Sequence, residues 1–199
     1  MEEFTKKKSI SSLIIENKEY IYPALFYIAG LLLGSMLFKT INNTALSKLI
    51  ELVINSSEMA FGAVFLNRIS LYFSIYSLCV LLGMCLIGFP IINLIPLLTG
   101  CELALKIAYY YVIFKAKGVG FSLLMLVPEG AAIATVLIYS IKTSRNLSKN
   151  IYEIAAKGTT NQIQIKSYLK KYLIYALIVA LIALFNALTA YLLSSIIKI

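Results

Sequence analysis

Long apolar runs separated by short polar joins leave this chain few folds to adopt. The first, Ile21 to Phe38, holds 18 residues without a charge. It is too long for a signal-peptide core and lacks a clear small-x-small cleavage site after it, so it reads as a span that stays attached. Comparable runs cover residues 69–87, 91–114, 119–141 and 172–197. A helix needs roughly 20 apolar residues to cross a hydrocarbon core about 30 Å thick. The expected fold is therefore all-α: a polytopic transmembrane helical bundle of about five spans, forming a single membrane domain over residues 1–199.

Composition supports this class, since 60% of the residues are hydrophobic and only 14% are charged, far from the balance of soluble domains. The net charge of +9 does not point to nucleic acid, because the basic residues flank apolar spans rather than line a soluble face. They read instead as topology signals and contacts to anionic membrane lipids. Lys6, Lys7, Lys8 and Lys18, with the seven Lys and Arg of the basic segment 142–171, make eleven on one side. Lys39, Lys48, Arg68, Lys115, Lys117 and Lys198 make six on the other. The positive-inside rule then predicts a cytoplasmic N-terminus, a cytoplasmic 142–171 segment and an extracytoplasmic C-terminus.

Breaks and charges concentrate between residues 79 and 130. Gly88 and Pro90 end the second span in a short turn, so spans two and three form an antiparallel hairpin. The third run is uneven: Pro96 and Gly100 interrupt its first half, then Glu102 and Lys106 follow at i,i+4 spacing. This predicts a broken or re-entrant third segment, with the Glu–Lys pair neutralising itself on one helix face. Lys115 to Gly118 reads as a tight polar turn. Pro128, Glu129 and Gly130 then stand near the middle of the fourth span, where proline removes a helical hydrogen bond and glycine admits a neighbour. Charge at membrane depth is costly unless paired or wet. Lys106 is the expected partner of Glu129, making Glu102, Lys106 and Glu129 one intramembrane cluster.

Smaller features complete the reading. Pro23 is placed in the first turn of its span, where a missing N–H costs nothing. The loop 39–68 holds Leu46, Leu49, Ile50 and Val53 at helical spacing, with Thr44 or Ser47 as a cap. A helix continuing span four is expected to close at Gly158, and the next to start at Thr160 or Asn161. Asn186 and Thr189 are expected to hydrogen-bond across helices. Gly30 and Gly34 form a GxxxG that serves either internal packing or a homo-oligomer. The three cysteines lie in apolar spans, and neither a His nor an Asp occurs. That excludes histidine-based triads and familiar metal sites, and the sequence points to no catalytic, cofactor-binding or metal-binding residues. An intramembrane enzyme would need a Ser–Lys or glutamate mechanism, with Ser122 as a serine in the span after Lys106.

The order IGFPIINLIPLLTG, a variable piece, GVGFSLLMLVPEG, and a final span after a basic segment resembles the stage II sporulation protein M family of bacterial membrane proteins. The family's Gly-x-Pro turn matches Gly88 and Pro90, its closing Gly matches Gly100, its Gly-Phe pair matches Gly120 and Phe121, and its mid-span Pro matches Pro128. The chain departs from many members at Thr99, where they place Lys, and at Asn186, where they place an acid. The resemblance implies a non-enzymatic membrane scaffold that holds peptidoglycan-remodelling enzymes during sporulation engulfment. Its implied partners are other membrane or wall-remodelling proteins. An alternative from the broader family is a transporter subunit or an accessory to bacteriocin export or immunity, which would use the Glu102/Lys106/Glu129 cluster.

Overall fold

A computed structural model describes residues 10–40, 61–157 and 165–196. They form six α-helices and one π-helical turn, and no strand occurs among the described residues. In chain order the helices are α1 (Ile10–Thr40), α2 (Phe61–Met84), the short α3 (Gly88–Ile91), α4 (Leu94–Phe121), α5 (Val127–Lys157) and α6 (Ile165–Ile196), with the π turn at Ser122–Leu126. Five helical stretches are long and apolar enough to cross a membrane: 17–40, 65–84, 88–112, 114–156 and 165–189. Large apolar side chains such as Met36, Leu66, Phe73, Leu98, Leu173 and Leu181 face outward. A surface so extensively apolar suits contact with hydrocarbon.

Side-chain contacts give the directions of the helices. Lys142 meets Glu19 and Tyr27 meets Gly130, so α1 and α5 are antiparallel. Gly30 faces Leu97 while Gly34 faces Cys101 and Ala104, so α1 and α4 are parallel. Arg68 meets Glu129 and Cys85 meets Ser148, which makes α2 parallel to α5. Successive crossings therefore alternate in direction. The C-terminal end of α1 and the N-terminal end of α2 both lie on the side of the bundle where Lys115 reverses the chain.

Small residues make the α1–α4 seam. A Cβ on Gly30 would lie 2.1 Å from the Leu97 carbonyl oxygen, and one on Gly100 would lie 2.3 Å from that of Tyr27. Backbone cannot yield at such distances, so these glycines are required for close approach. The GxxxG of α1 is thus occupied inside the chain, which decides between the two uses its sequence allowed.

Several expectations about helix limits change. The third helical stretch is continuous from Leu94 to the reversal at Lys115. Its interruption lies at the mouth, in the turn after Met84 and the four-residue α3. Pro96 falls in the first turn of α4, where no intrahelical N–H bond is lost. Pro23 shows the opposite shift: α1 starts at Ile10, placing this proline inside the helix with its ring buried. Helix α2 starts at Phe61 rather than at 69, and α6 starts at Ile165 rather than at 172. The fourth long helix runs on through the first half of the basic segment to Lys157, which is the continuation of span four that the sequence predicts.

The tight turn at Lys115–Gly118 is sharp. Lys115 takes φ 50° and ψ −125°, and a Cβ on Gly118 would lie 1.9 Å from the Tyr110 carbonyl oxygen. A non-glycine residue with positive φ costs on the order of 1–3 kcal/mol, and the folded-back helix pair sustains it. The proposed caps Thr44, Ser47, Thr160 and Asn161, the apolar positions Leu46, Leu49, Ile50 and Val53, and the stop at Gly158 lie outside the described residues.

Candidate functional site

At the middle of the bundle each crossing contributes a polar group. Glu102 and Lys106 stand one turn apart on α4, and Lys106 Nζ lies 2.6 Å from Glu102 Oε1. This is a charge-assisted contact closed within one helix. Lys106 is 8% exposed, and its pairing is the one its spacing predicts. It is not the partner of Glu129.

That partner is Arg68, which the sequence reading counted among the loop charges. Helix α2 begins early enough to take Arg68 into the bundle, where it is 3% exposed and faces Glu129, itself 9% exposed. Arg68 Nη1 lies 3.9 Å from Glu129 Oε1. The separation is too long for a hydrogen bond, and both atoms lack any hydrogen-bond partner. At an effective dielectric near 20, a pair about 4 Å apart gains about 4 kcal/mol. Removing each ion from water costs several kcal/mol. The attraction does not clearly offset the burial, so the pair is not explained by stability alone.

The local backbone explains why Glu129 faces inward. Pro128 has no N–H to donate and its ring would clash with the carbonyl one turn back. The π turn Ser122–Leu126 directly precedes this site, widening the helix where the normal ladder is interrupted. Pro128 ends up exposed and Glu129 buried. Beside it, Gly130 leaves room for the Leu103 side chain of α4, and the Gly130 carbonyl accepts a hydrogen bond from Tyr27 of α1 at 3.3 Å.

Helix α6 supplies Asn186, 2% exposed. Its amide bears on the Glu129 carboxylate but closes no hydrogen bond, and both its Oδ1 and Nδ2 are unpartnered. Thr189 donates to the Asn186 carbonyl at 2.9 Å within its own helix. Neither residue bridges helices as its sequence position suggested. Ser122, buried in the π turn, also has an unpartnered hydroxyl, while the Lys106 amine is committed to Glu102.

Two cavities meet at Glu129. The smaller, about 40 Å³, is lined by Tyr27, Thr99, Glu102, Lys106, Glu129 and Gly130 among others. It has room for about one water molecule and polar groups enough to hold it. The larger, about 420 Å³, lies between the π turn, α5 and α6, with Glu129 and Asn186 in an otherwise mainly apolar wall. The structure thus brings Glu102, Lys106 and Glu129 around one small cavity and adds Arg68, Tyr27 and Asn186 to the group. The helix-break residues divide differently. Gly100, Pro128 and Gly130 shape this site, whereas Gly88, Pro90 and Pro96 belong to the opposite turn and the start of α4.

A second polar seam went unnoticed in the sequence although its signal was present. Ser140, Ser144 and Ser148 recur every four residues along α5 and are fully buried. Ser144 donates to the Cys79 carbonyl at 2.9 Å and contacts the hydroxyls of Tyr168 and Tyr172. Ser148 donates to the Cys85 carbonyl at 2.7 Å, Tyr168 to that of Val80 at 3.1 Å and Tyr172 to that of Ser140 at 3.0 Å. This seam ties α2, α5 and α6 together.

No protein-family model matches the chain, and no curated protein or solved structure matches it.

Proposed function

We propose that this chain is a non-enzymatic multi-pass scaffold of the bacterial cell membrane, similar to stage II sporulation protein M, which recruits peptidoglycan-remodelling enzymes during engulfment. The observation that carries the reading is the place of two glycines from the motif behind that resemblance. A Cβ on Gly88 would lie 1.7 Å from the Leu82 carbonyl oxygen, and Gly100 lies against the α1 backbone. These positions build the bundle, so a shared motif of this kind goes with a shared architecture. Gly120, another motif position, has open space around it.

A scaffold also needs a face for its partners. The ends of α1 and α2 that flank residues 41–60 in the sequence lie on the side of the Lys115 turn. Taking the buried Arg68 out of the charge count leaves eleven basic residues against five, which strengthens the assignment of the N-terminal side to the cytoplasm and of segment 41–60 to the exterior. Replacing Leu49 and Val53 together with Glu should lower recovery of wall-remodelling enzymes from crosslinked membranes about tenfold, as expected when an apolar anchor is lost. Insertion of the protein should be unchanged. Undiminished recovery would remove the basis for this reading.

A second reading, a transporter subunit or an accessory to bacteriocin export or immunity, is favoured by the unpartnered atoms of Arg68, Glu129 and Asn186 beside two cavities. Ionisable groups at membrane depth commonly mark substrate or proton paths. Glu129→Gln separates the readings. It should abolish a transport or immunity phenotype under the second and leave enzyme recovery intact under the first.

A further inference from the structure

The ends of three apolar runs meet at one side chain of α5. Arg145 stands four residues past Ile141, where the fourth run stops. Its guanidinium lies over the ring of Tyr22 at 5.7 Å, where the first run begins, and over that of Phe89 at 4.9 Å, in α3 just after the second. Both distances fall within the roughly 6 Å over which a ring face attracts a cation. The rings hold the guanidinium but offer it no acceptor. Among the described residues, its N–H donors meet no carboxylate, hydroxyl or carbonyl.

The neighbouring cations are placed otherwise. Lys142, one turn back on α5, faces Glu19 at 3.4 Å, and Lys149, one turn on, faces Glu153 at 3.9 Å. Arg145 is therefore the uncompensated charge of the three, half-buried at the edge of the apolar zone.

We propose that Arg145 binds the phosphodiester of an anionic phospholipid of the phosphatidylglycerol type, at the corner between α1, α3 and α5. The inference rests on the membrane-spanning fold and on neither the scaffold nor the transporter reading.

Each part of the ligand answers to a feature of this corner. A guanidinium presents parallel N–H groups that match two oxygens of one phosphate, and a contact of that kind is stronger than a neutral hydrogen bond. The phosphate belongs to a lipid because of what adjoins it. Tyr22, Leu25, Ile28 and Leu32 recur at helical spacing on α1 and are 50–60% exposed. They make an apolar lane running from the Arg145 contact into the apolar zone, where acyl chains lie while the phosphate stays at its edge. The head carries no added cation, because Lys142 and Lys149 flank Arg145 along α5 and would repel a choline or ammonium group. A general attraction of basic segments for anionic lipid would be shared by every exposed cation. Lys166, Lys170 and Lys171 of α6 are exposed and serve as the control for it.

The test uses the full-length protein in nanodiscs of equal phosphatidylglycerol and phosphatidylcholine, with the lipid retained on release in a mass spectrometer identified by its mass. Phosphatidylglycerol should be retained over phosphatidylcholine by about tenfold, the factor that one charge-assisted hydrogen bond supplies. Arg145→Gln should remove that preference. Arg145→Lys, which keeps the charge and loses the fork, should fall between the two. Lys170→Gln combined with Lys171→Gln removes twice the charge and should leave the preference unchanged. Phe89→Leu, which alters no charge, should weaken retention severalfold by releasing the guanidinium from one ring. This variant keeps the test decisive if Arg145→Gln is not monodisperse in detergent. A preference that survives Arg145→Gln, an equal loss in the Lys170 and Lys171 variant, undiminished retention in Phe89→Leu, or no discrimination between the two lipids would each overturn the proposal. Displacement of the lipid by excess inorganic phosphate would do so too, since the site would then take free phosphate rather than a membrane lipid.

Discussion

The bundle contains two buried polar regions that solve the same problem differently. Toward the turn after α2, the serine–tyrosine seam gives Ser144, Ser148, Tyr168 and Tyr172 a partner each, most of them backbone carbonyls of neighbouring helices. At mid-bundle, Arg68, Glu129 and Asn186 are equally buried but leave atoms unpartnered beside open volume. Neutral groups with complete hydrogen bonding fasten helices; ionic groups with incomplete bonding are poised to interact with something else. The difference in satisfaction, rather than in polarity, separates structure from candidate function.

The largest effect should come from breaking the ionic region on one side. Arg68→Met leaves Glu129 buried without a counter-charge and should cost about 3–5 kcal/mol in unfolding measured in detergent. Arg68→Met combined with Glu129→Gln should recover most of that loss, because an apolar or neutral replacement of a buried pair is often close to neutral. A single-variant cost below about 1 kcal/mol would mean that Glu129 is hydrated through the neighbouring cavities, and the two regions would then differ in water access as well.

Breaking the satisfied region should cost less. Ser144→Ala removes one hydroxyl that serves Cys79, Tyr168 and Tyr172. Hydrogen bonds between membrane helices average about 0.6 kcal/mol and reach about 1.7, so a loss of about 1–2 kcal/mol is expected from this shared group. Partner recovery should stay at the level of the unaltered protein. A functional defect without a stability change would reverse the roles given to the two regions.

How far these regions could be read in advance depended on whether their contacts were local. Glu102 and Lys106 meet because they lie one turn apart, and one-turn spacing is visible in any sequence. The apolar runs likewise marked all five helical stretches long and apolar enough to cross a membrane, because the length such a stretch needs is set by a bilayer rather than by packing. Arg68 was misread for the converse reason. Its charge suggested a loop, and only the packing of α2 against α5 supplies the carboxylate that lets it be buried. The same holds for the broken third span: Pro96 and Gly100 signal a break only when their register is unknown. Once α4 is seen to start at Leu94, the proline falls in the first turn and the glycine becomes a contact with α1. The serines at 140, 144 and 148 carried a helical period, but serine is small enough to pass for packing until tyrosines on α6 arrive opposite.

A third kind of polar contact sharpens the comparison from the side of least effect. Lys142 Nζ lies 3.4 Å from Glu19 Oε2 and 3.9 Å from the centroid of the Tyr20 ring, joining α5 to α1. The charges are of the same kinds as Arg68 and Glu129 and their distance is shorter, yet their side chains are 29% and 41% exposed. Solvent screens such a pair, and measured values for exposed ion pairs run at roughly 0.2–1 kcal/mol. Lys142→Gln should therefore cost less than about 1 kcal/mol, and the cost should shrink further as salt is raised. The Arg68 effect should be nearly salt-independent, because bulk ions do not reach it. If both variants respond to salt alike, Arg68 and Glu129 are in contact with bulk water, and the mid-bundle region would have to be redrawn as an aqueous opening rather than a closed, half-satisfied centre.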